Sequence, residues 1–236
     1  MLFTLIIVGT IVLLSIPGAI VFIPLAVLTG NVNPLYRVGS WIAHFALLLG
    51  GIRFHIEGRD RVPKGKAVIF MANHVSNLDP PALLPVLPGR TSVFLKKSLM
   101  KLPVLGYGFK LGNFIPVERS GNPEQAKQSI EKAVEVLRQG VNITTFVEGT
   151  RSRDGRMLPF KKGPFYLAKA SGALCVPVSI HGTETMMAKG SMAIHPGKVH
   201  IVFHEPVDPA NFATREELMA AVRTAIASGL PEWMRT

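Results

Sequence analysis

Two residues in this chain have types and spacing suited to proton transfer: His74 and Asp79, in the stretch Asn73-His74-Val75-Ser76-Asn77-Leu78-Asp79. Histidine exchanges a proton near neutral pH. A carboxylate on one ring nitrogen fixes its tautomer and supports the imidazolium, leaving the other nitrogen free to act as a base. On one continuous helix a spacing of five would leave the two side chains roughly 140° apart, and on one strand they would face opposite sides. Only a chain that turns between them can join them. The apolar run Ala67-Val68-Ile69-Phe70-Met71-Ala72 before the stretch reads as a buried strand, and Pro80-Pro81 behind it suits the first turn of a helix. A purely structural reading, with Asp79 as a helix cap and His74 as a polar strand end, fits these residues as well.

No nucleophile accompanies the pair. Gly-x-Ser-x-Gly is absent from the 236 residues, and the single cysteine, Cys175, lies in the apolar run Ala173-Leu174-Cys175-Val176-Pro177-Val178, where a thiol is expected to be inert. A base without an enzyme nucleophile implies a substrate that supplies its own, such as a hydroxyl.

Asn73-His74-x4-Asp79 resembles the first motif of the glycerolipid acyltransferases, the family that includes 1-acylglycerol-3-phosphate acyltransferases. Gly112-Asn113-Phe114-Ile115-Pro116-Val117-Glu118-Arg119 resembles the second, Phe146-Val147-Glu148-Gly149-Thr150-Arg151-Ser152 the third and Val176-Pro177-Val178 the fourth. Four blocks in family order across 67–180 are specific where any one alone is not. Val147 departs from the proline common before Glu-Gly-Thr-Arg, which bears on the loop's rigidity and leaves its charges in place.

The resemblance implies an α/β fold, a mixed sheet flanked by helices, preceded by a membrane-binding two-helix hairpin. It implies His74 as base and Asp79 as its orienter. Arg119, Glu148, Gly149 and Arg151 would bind the glycerol phosphate end of an acceptor, with Thr150 shaping the loop. Val176, Pro177 and Val178 would line the acyl site or support the catalytic layer. The implied reaction joins a fatty acyl group to the sn-2 hydroxyl of lysophosphatidate. Acyl-CoA or acyl-acyl carrier protein would be the co-substrate, with no cofactor, no metal and no covalent acyl-enzyme. Another lysolipid acceptor, or lipid binding without turnover, are the alternatives.

Charge and composition set the surroundings of such a site. The net charge of +11 favours anionic partners: phospholipid surfaces, phosphate-bearing donors or nucleic acid. Nucleic acid is disfavoured, because no zinc-finger spacing or aromatic-basic RNA signature occurs. Hydrophobic residues make up 48% of the chain, concentrated at the front. No charged side chain precedes Arg37, and residues 2–28 are apolar enough to span a bilayer. Pro17 and Pro24 are expected to kink or break that run, and Gly30 to Pro34 to turn it. A second apolar run over 38–52 is too short to cross alone, so the preferred reading is a hairpin dipping into one leaflet, with a true span or a pair of buried core helices as the alternatives. Arg53, Arg59, Arg61, Lys64 and Lys66 then mark the cytoplasmic side.

From there strand and helix patterns alternate, as in an α/β domain. Strands are expected over 52–57, 67–72, 92–95, 114–117, 141–147, 174–180 and 199–203. Helices are expected over 123–139, capped by Asn122, and over 162–171 and 214–228. Gly106 to Gly112 spaces its glycines wrongly for a dinucleotide fingerprint and reads as a loop. His181, His195, His200 and His204 show no metal-ligand spacing, and the surroundings of His200 and His204 read as strand. The basic clusters Lys96, Lys97, Lys101 and Arg153, Arg156, Lys161, Lys162 fit either anion contacts or a solvated face. The division is a membrane-associated hairpin over 1–52 and a catalytic domain over 53–236.

Overall fold

The structure, a computed structural model, describes residues 1–102, 105–117, 123–188 and 190–235. Among these residues seven strands form one sheet in the order β1-β7-β6-β2-β5-β3-β4. They are β1 Ile52–Glu57, β2 Ile69–Ala72, β3 Thr91–Lys96, β4 Ile115–Val117, β5 Asn142–Phe146, β6 Cys175–His181 and β7 Gly197–Phe203. All pairings are parallel except β6 with β7. All four residues of β2 are buried, which explains its unbroken apolar sequence, whereas β1 at the edge exposes Arg53 and Glu57.

Among the described residues eight α-helices accompany the sheet: α1 Leu2–Thr29, α2 Asn33–Leu49, α3 Asp79–Leu83, α4 Leu105–Leu111, α5 Pro123–Arg138, α6 Gly163–Ser171, α7 Thr183–Met186 and α8 Arg215–Ser228. One face of the sheet buries Phe70, Val176, Val178 and Phe203 together with Leu83 of α3 and Ala46 and Leu47 of α2. The other face buries Ile69, Met71 and Ile143 against Ala133 of α5, Phe165 of α6 and Val222 of α8. Ile7 of α1 joins the first of these cores, so the N-terminal hairpin is a layer of the fold as well as an appendage to it. A Cβ on Gly50, at the end of α2, would lie 2.4 Å from Ile7, so glycine is what lets α1 close on that helix end.

The break expected in the N-terminal apolar run and the loop expected over 106–112 do not occur. Helix α1 runs unbroken through Pro17 and Pro24. Each proline lacks the N–H of a helical hydrogen bond, but packing on α2 continues beside them. A Cβ on Gly18 would sit 3.5 Å from Val38 and 3.6 Å from Ile42, ordinary van der Waals contact. The glycine-rich segment read as a loop is helix α4. There Gly106 meets the chain at Met100, where a Cβ would stand 2.2 Å from the carbonyl oxygen. Its glycine therefore serves a close approach at a helix-propensity cost of about 1 kcal/mol.

Helix α1 is long and apolar enough to cross a membrane, and only 6% of its most apolar window is buried. Its outer face presents Leu5, Leu13, Ile20 and Leu28, each at least 65% exposed.

Candidate active site

Strand β2 lies between β5 and β6, with Ala72 level with Phe146 on one side and Val178 on the other. The chain leaves β2 at the carboxyl edge of these parallel strands, where α/β sheets place their ligand crevices. Asn73 continues the ladder with its side chain: its amide Nδ2 donates to the Ile180 carbonyl, and the Ile180 N–H donates to its Oδ1, both at 2.8 Å. The next residue, His74, is thereby fixed at the strand end.

The turn from His74 to α3 closes on Asp79. His74 Nδ1 lies 2.8 Å from Asp79 Oδ2, and that oxygen also accepts the N–H groups of Val75 and Ser76 at 2.7 and 2.8 Å. Thr183, at the start of α7, donates its hydroxyl to Oδ1. Asp79 is fully buried, and four donors satisfy it as a carboxylate. An acceptor at Nδ1 requires the tautomer with the proton on Nδ1, leaving the Nε2 lone pair to take a proton. The ring stacks on Phe146, with centroids 4.2 Å apart and planes 24° apart. Asp79 is the first residue of α3, but its oxygens accept from Val75 and Ser76 ahead of the helix and not from the helix's own N–H groups, so the helix-cap reading of this carboxylate does not hold.

Glu148 follows β5 and is 1% exposed. Its Oε1 accepts the His74 N–H at 2.9 Å and its Oε2 the Leu158 N–H at 3.0 Å. Both oxygens are engaged by backbone, so Glu148 braces the main chain at His74. Burial pushes its carboxyl up to about 7; the two backbone hydrogen bonds pull the other way, and nearby Asp79 adds to the rise. The Ser152 N–H donates to the His74 carbonyl at 2.9 Å, tying the same loop to the strand end.

A cleft of about 330 Å³ opens above the ring. His74, Gly149, Lys96 and Lys161 line it, together with Phe94, Val117 and Ile130. Gly149 has φ 67°, and a Cβ there would lie 2.9 Å from Lys161 Cγ. Thr150 and Arg151 are half-buried on the same loop and do not line the cleft itself. Arg119 and the expected cap Asn122 lie outside the described residues. Val176, Pro177 and Val178 are buried in β6, level with Phe70, Met71 and Ala72 of β2, and do not line the cleft. Cys175 is buried too, and desolvation pushes its thiol up to about 12, which suits the inert role expected of it. Among the described residues no three His, Cys, Asp or Glu side chains are grouped to hold a metal ion.

Sequence reasoning missed Thr183, Asn73 and Phe146. Thr183 is 104 positions from Asp79 and carries no local signal. Asn73 stood inside the first motif and could have been singled out there.

A family model described as acyltransferase matches residues 53–181. The chain is 32% identical over 158 residues to the chloroplastic 1-acyl-sn-glycerol-3-phosphate acyltransferase LPAT1 of Arabidopsis thaliana, covering 66% of this chain and 44% of that one. It is 29% identical over 187 residues to a 1-acyl-sn-glycerol-3-phosphate acyltransferase of Borreliella burgdorferi, covering 78% and 74%. Among the plant relatives the chain spans 44% of the Arabidopsis protein and 62% of one from Limnanthes douglasii. The crystal structure of the 1-acyl-sn-glycerophosphate acyltransferase PlsC of Thermotoga maritima superposes with a TM-score of 0.84 at 28% identity, covering 98% of this chain and 95% of that one.

Proposed function

The chain belongs to the acyltransferase family, and from that premise we propose that it transfers a fatty acyl group from a thioester to the sn-2 hydroxyl of lysophosphatidate, giving phosphatidate. The observation that carries this reading is the 2.8 Å contact of His74 Nδ1 with buried Asp79, beneath a cleft that His74 lines. Relatives bearing that activity in their names support the choice of acceptor.

His74 Nε2 takes the proton of the sn-2 hydroxyl as its oxygen attacks the thioester carbonyl. A C–O bond forms, the C–S bond breaks, and the proton passes on to the departing thiolate. The acyl group moves directly between substrates, and the exchange balances with acyl-CoA or acyl-acyl carrier protein as donor and no resident cofactor. Asp79, held by Val75, Ser76 and Thr183, keeps the ring in the productive tautomer. Arg151, on the loop beside the cleft, and Arg119 draw in the acceptor phosphate, and Gly149 leaves room for it. Val176, Pro177 and Val178 hold β6 against β2 beneath the reacting layer.

Residues 1–52 serve as the membrane-associated part and 53–236 as the catalytic part, which faces the cytoplasm. The exposed apolar side of α1 and the run Arg53, Arg59, Arg61, Lys64 and Lys66 support that placement. The acceptor resides in the leaflet while the donor arrives from water.

Radiolabelled acyl transfer over a panel of lysolipids, with both donor types, tests the reading. His74→Ala should lower turnover by at least about 10²-fold while the protein stays folded by circular dichroism. Undiminished turnover would remove His74 as the base.

A further inference from the structure

Helix α2 separates two clefts. On its α1 side lies an apolar groove of about 310 Å³, walled by residues such as Ile11, Val38, Ile42 and Phe109. On its other side lies a cleft of about 790 Å³, which shares no lining residue with the cleft at His74. Asn33, Tyr36, Arg37, Ser40, Trp41 and His44 supply one wall, a spacing that places them on one face of α2. Arg59, after β1, and Arg90, before β3, close it from the domain.

The electrostatics of this second cleft are one-sided. Three arginines line it, and no aspartate or glutamate does. Arg37, Arg59 and Arg90 form no salt bridge among the described residues. Three of its lining residues also carry buried polar groups with a donor to spare: His44 Nδ1 and Arg90 Nε have no hydrogen-bond partner, and Tyr36 Oη accepts from the Thr91 N–H and the Ser40 hydroxyl, leaving its own proton uncommitted. Native proteins rarely leave such groups unsatisfied, and each of these three can donate. Donors and positive charge converging without a protein acceptor define a site for an acceptor-rich anion, and guanidinium forks match phosphate oxygens in pairs.

We propose that this cleft is a second phosphate site, occupied by the headgroup of an anionic glycerophospholipid of the surrounding leaflet. The lipid source follows from the walls. Leu84, Pro85, Val86 and Leu87 make an apolar floor, and Trp41, 58% exposed, stands at the cleft as an interfacial aromatic residue would. The cleft and the apolar groove share Tyr36, Ser40, Leu84 and Pro85, so a ligand with a charged head and an aliphatic tail finds both surfaces side by side. Inorganic phosphate would use only one of them. The site takes membrane association as given and is independent of the reaction at His74.

The test is calorimetric titration of the full-length protein in neutral detergent with dihexanoyl phosphatidylglycerol, inorganic phosphate and dihexanoyl phosphatidylcholine in separate arms. Arg90→Gln removes one fork, and Tyr36→Phe removes a single hydroxyl without changing the packing volume. Neither residue belongs to the catalytic machinery, so retained acyl transfer certifies folding of both. The expected result is saturable phosphatidylglycerol binding, weakened about tenfold by Arg90→Gln and severalfold by Tyr36→Phe, with weaker binding of the other two ligands. Inorganic phosphate binding as tightly, with the same dependence on the variants, would overturn the lipid reading. Phosphatidylglycerol binding that neither variant alters would overturn the site.

Discussion

Glu148 holds the backbone of His74: its Oε1 accepts the histidine N–H at 2.9 Å, while a different carboxylate, Asp79, holds the ring. His74 is thus fixed at two points by two acids with separate tasks. Asp79 sets tautomer and ring orientation, and Glu148 sets where the main chain leaves β2. Its second oxygen reaches the Leu158 N–H, so the segment after β5 is drawn to the same point.

Burial of Glu148 has a consequence for stability. Its carboxyl titrates near 7 in the folded protein, against 4.5 for an exposed glutamate. Between those values the folded state binds more protons than the unfolded one, so this group's contribution to stability falls as pH rises from 4.5 to 7 and is constant above. The full swing is about 3 kcal/mol. Glu148→Gln removes that slope. It also places an amide NH₂ against one of two backbone N–H donors, which costs about 1–3 kcal/mol at every pH. Denaturant unfolding of both proteins at pH 5 and pH 7.5 checks this: the difference in stability should be larger at pH 5.

Thr183→Val should act on the reaction through Asp79. The substitution conserves shape and withdraws the one hydroxyl that donates to Oδ1, leaving that buried oxygen without its donor. Turnover should fall about tenfold with the acceptor KM little changed, because the loss falls on the orienting carboxylate rather than on substrate contacts. Thr183→Ser, which restores a hydroxyl, should recover most of the rate. A Val variant with full turnover would limit Thr183 to packing.

Gly149→Ala tests the loop above the ring. The backbone there has φ 67°, disfavoured for a side chain, and the new Cβ would come 2.9 Å from Lys161 Cγ. Lys161 can swing away, so the fold should survive at a cost of about 1 kcal/mol. The shifted loop narrows the acceptor side of the cleft, and steady-state kinetics should show a raised acceptor KM with a smaller change in turnover.

The parts of this molecule legible in the sequence are those set by near neighbours. His74 and Asp79 are five apart, so strand-end and helix-start signals on either side sufficed to bring them together. β1 was legible to the residue over 52–57, and α6 and α8 to within a residue of their starts, because periodicity, proline and glycine mark such limits locally. Non-local structure was not legible. The antiparallel return of β7 beside β6, the bracing of His74 by Glu148 and the hydroxyl of Thr183 on Asp79 each join distant stretches, and no local pattern encodes them. Glu148 was expected at the acceptor phosphate, an awkward place for a negative charge. Its burial with both oxygens on backbone N–H groups removes that difficulty. The helix α4 and the unbroken α1 were misread for one reason: glycine and proline were weighed by propensity, while tertiary contacts at Met100 and along α2 decided the outcome.

Arg151→Ala separates headgroup recognition from chemistry. Arg151 stands on the loop whose Ser152 N–H grips the His74 carbonyl, so its backbone lies near His74 although it does not line the cleft, whereas Lys96 and Lys161 line the cleft directly. Removing one guanidinium fork from a phosphate should raise KM for a phosphate-bearing acceptor by about 10- to 100-fold. A neutral lysolipid of the same chain length has no phosphate monoester to lose, and its KM should change less than about twofold. Lys161→Ala provides the internal comparison, since a point charge offers no paired geometry and its loss should be smaller. Measuring kcat/KM for both acceptors across these variants decides the matter. Equal losses on charged and neutral acceptors would mean that Arg151 holds the loop in shape rather than the phosphate, and the two cleft lysines would then be the residues that meet the headgroup.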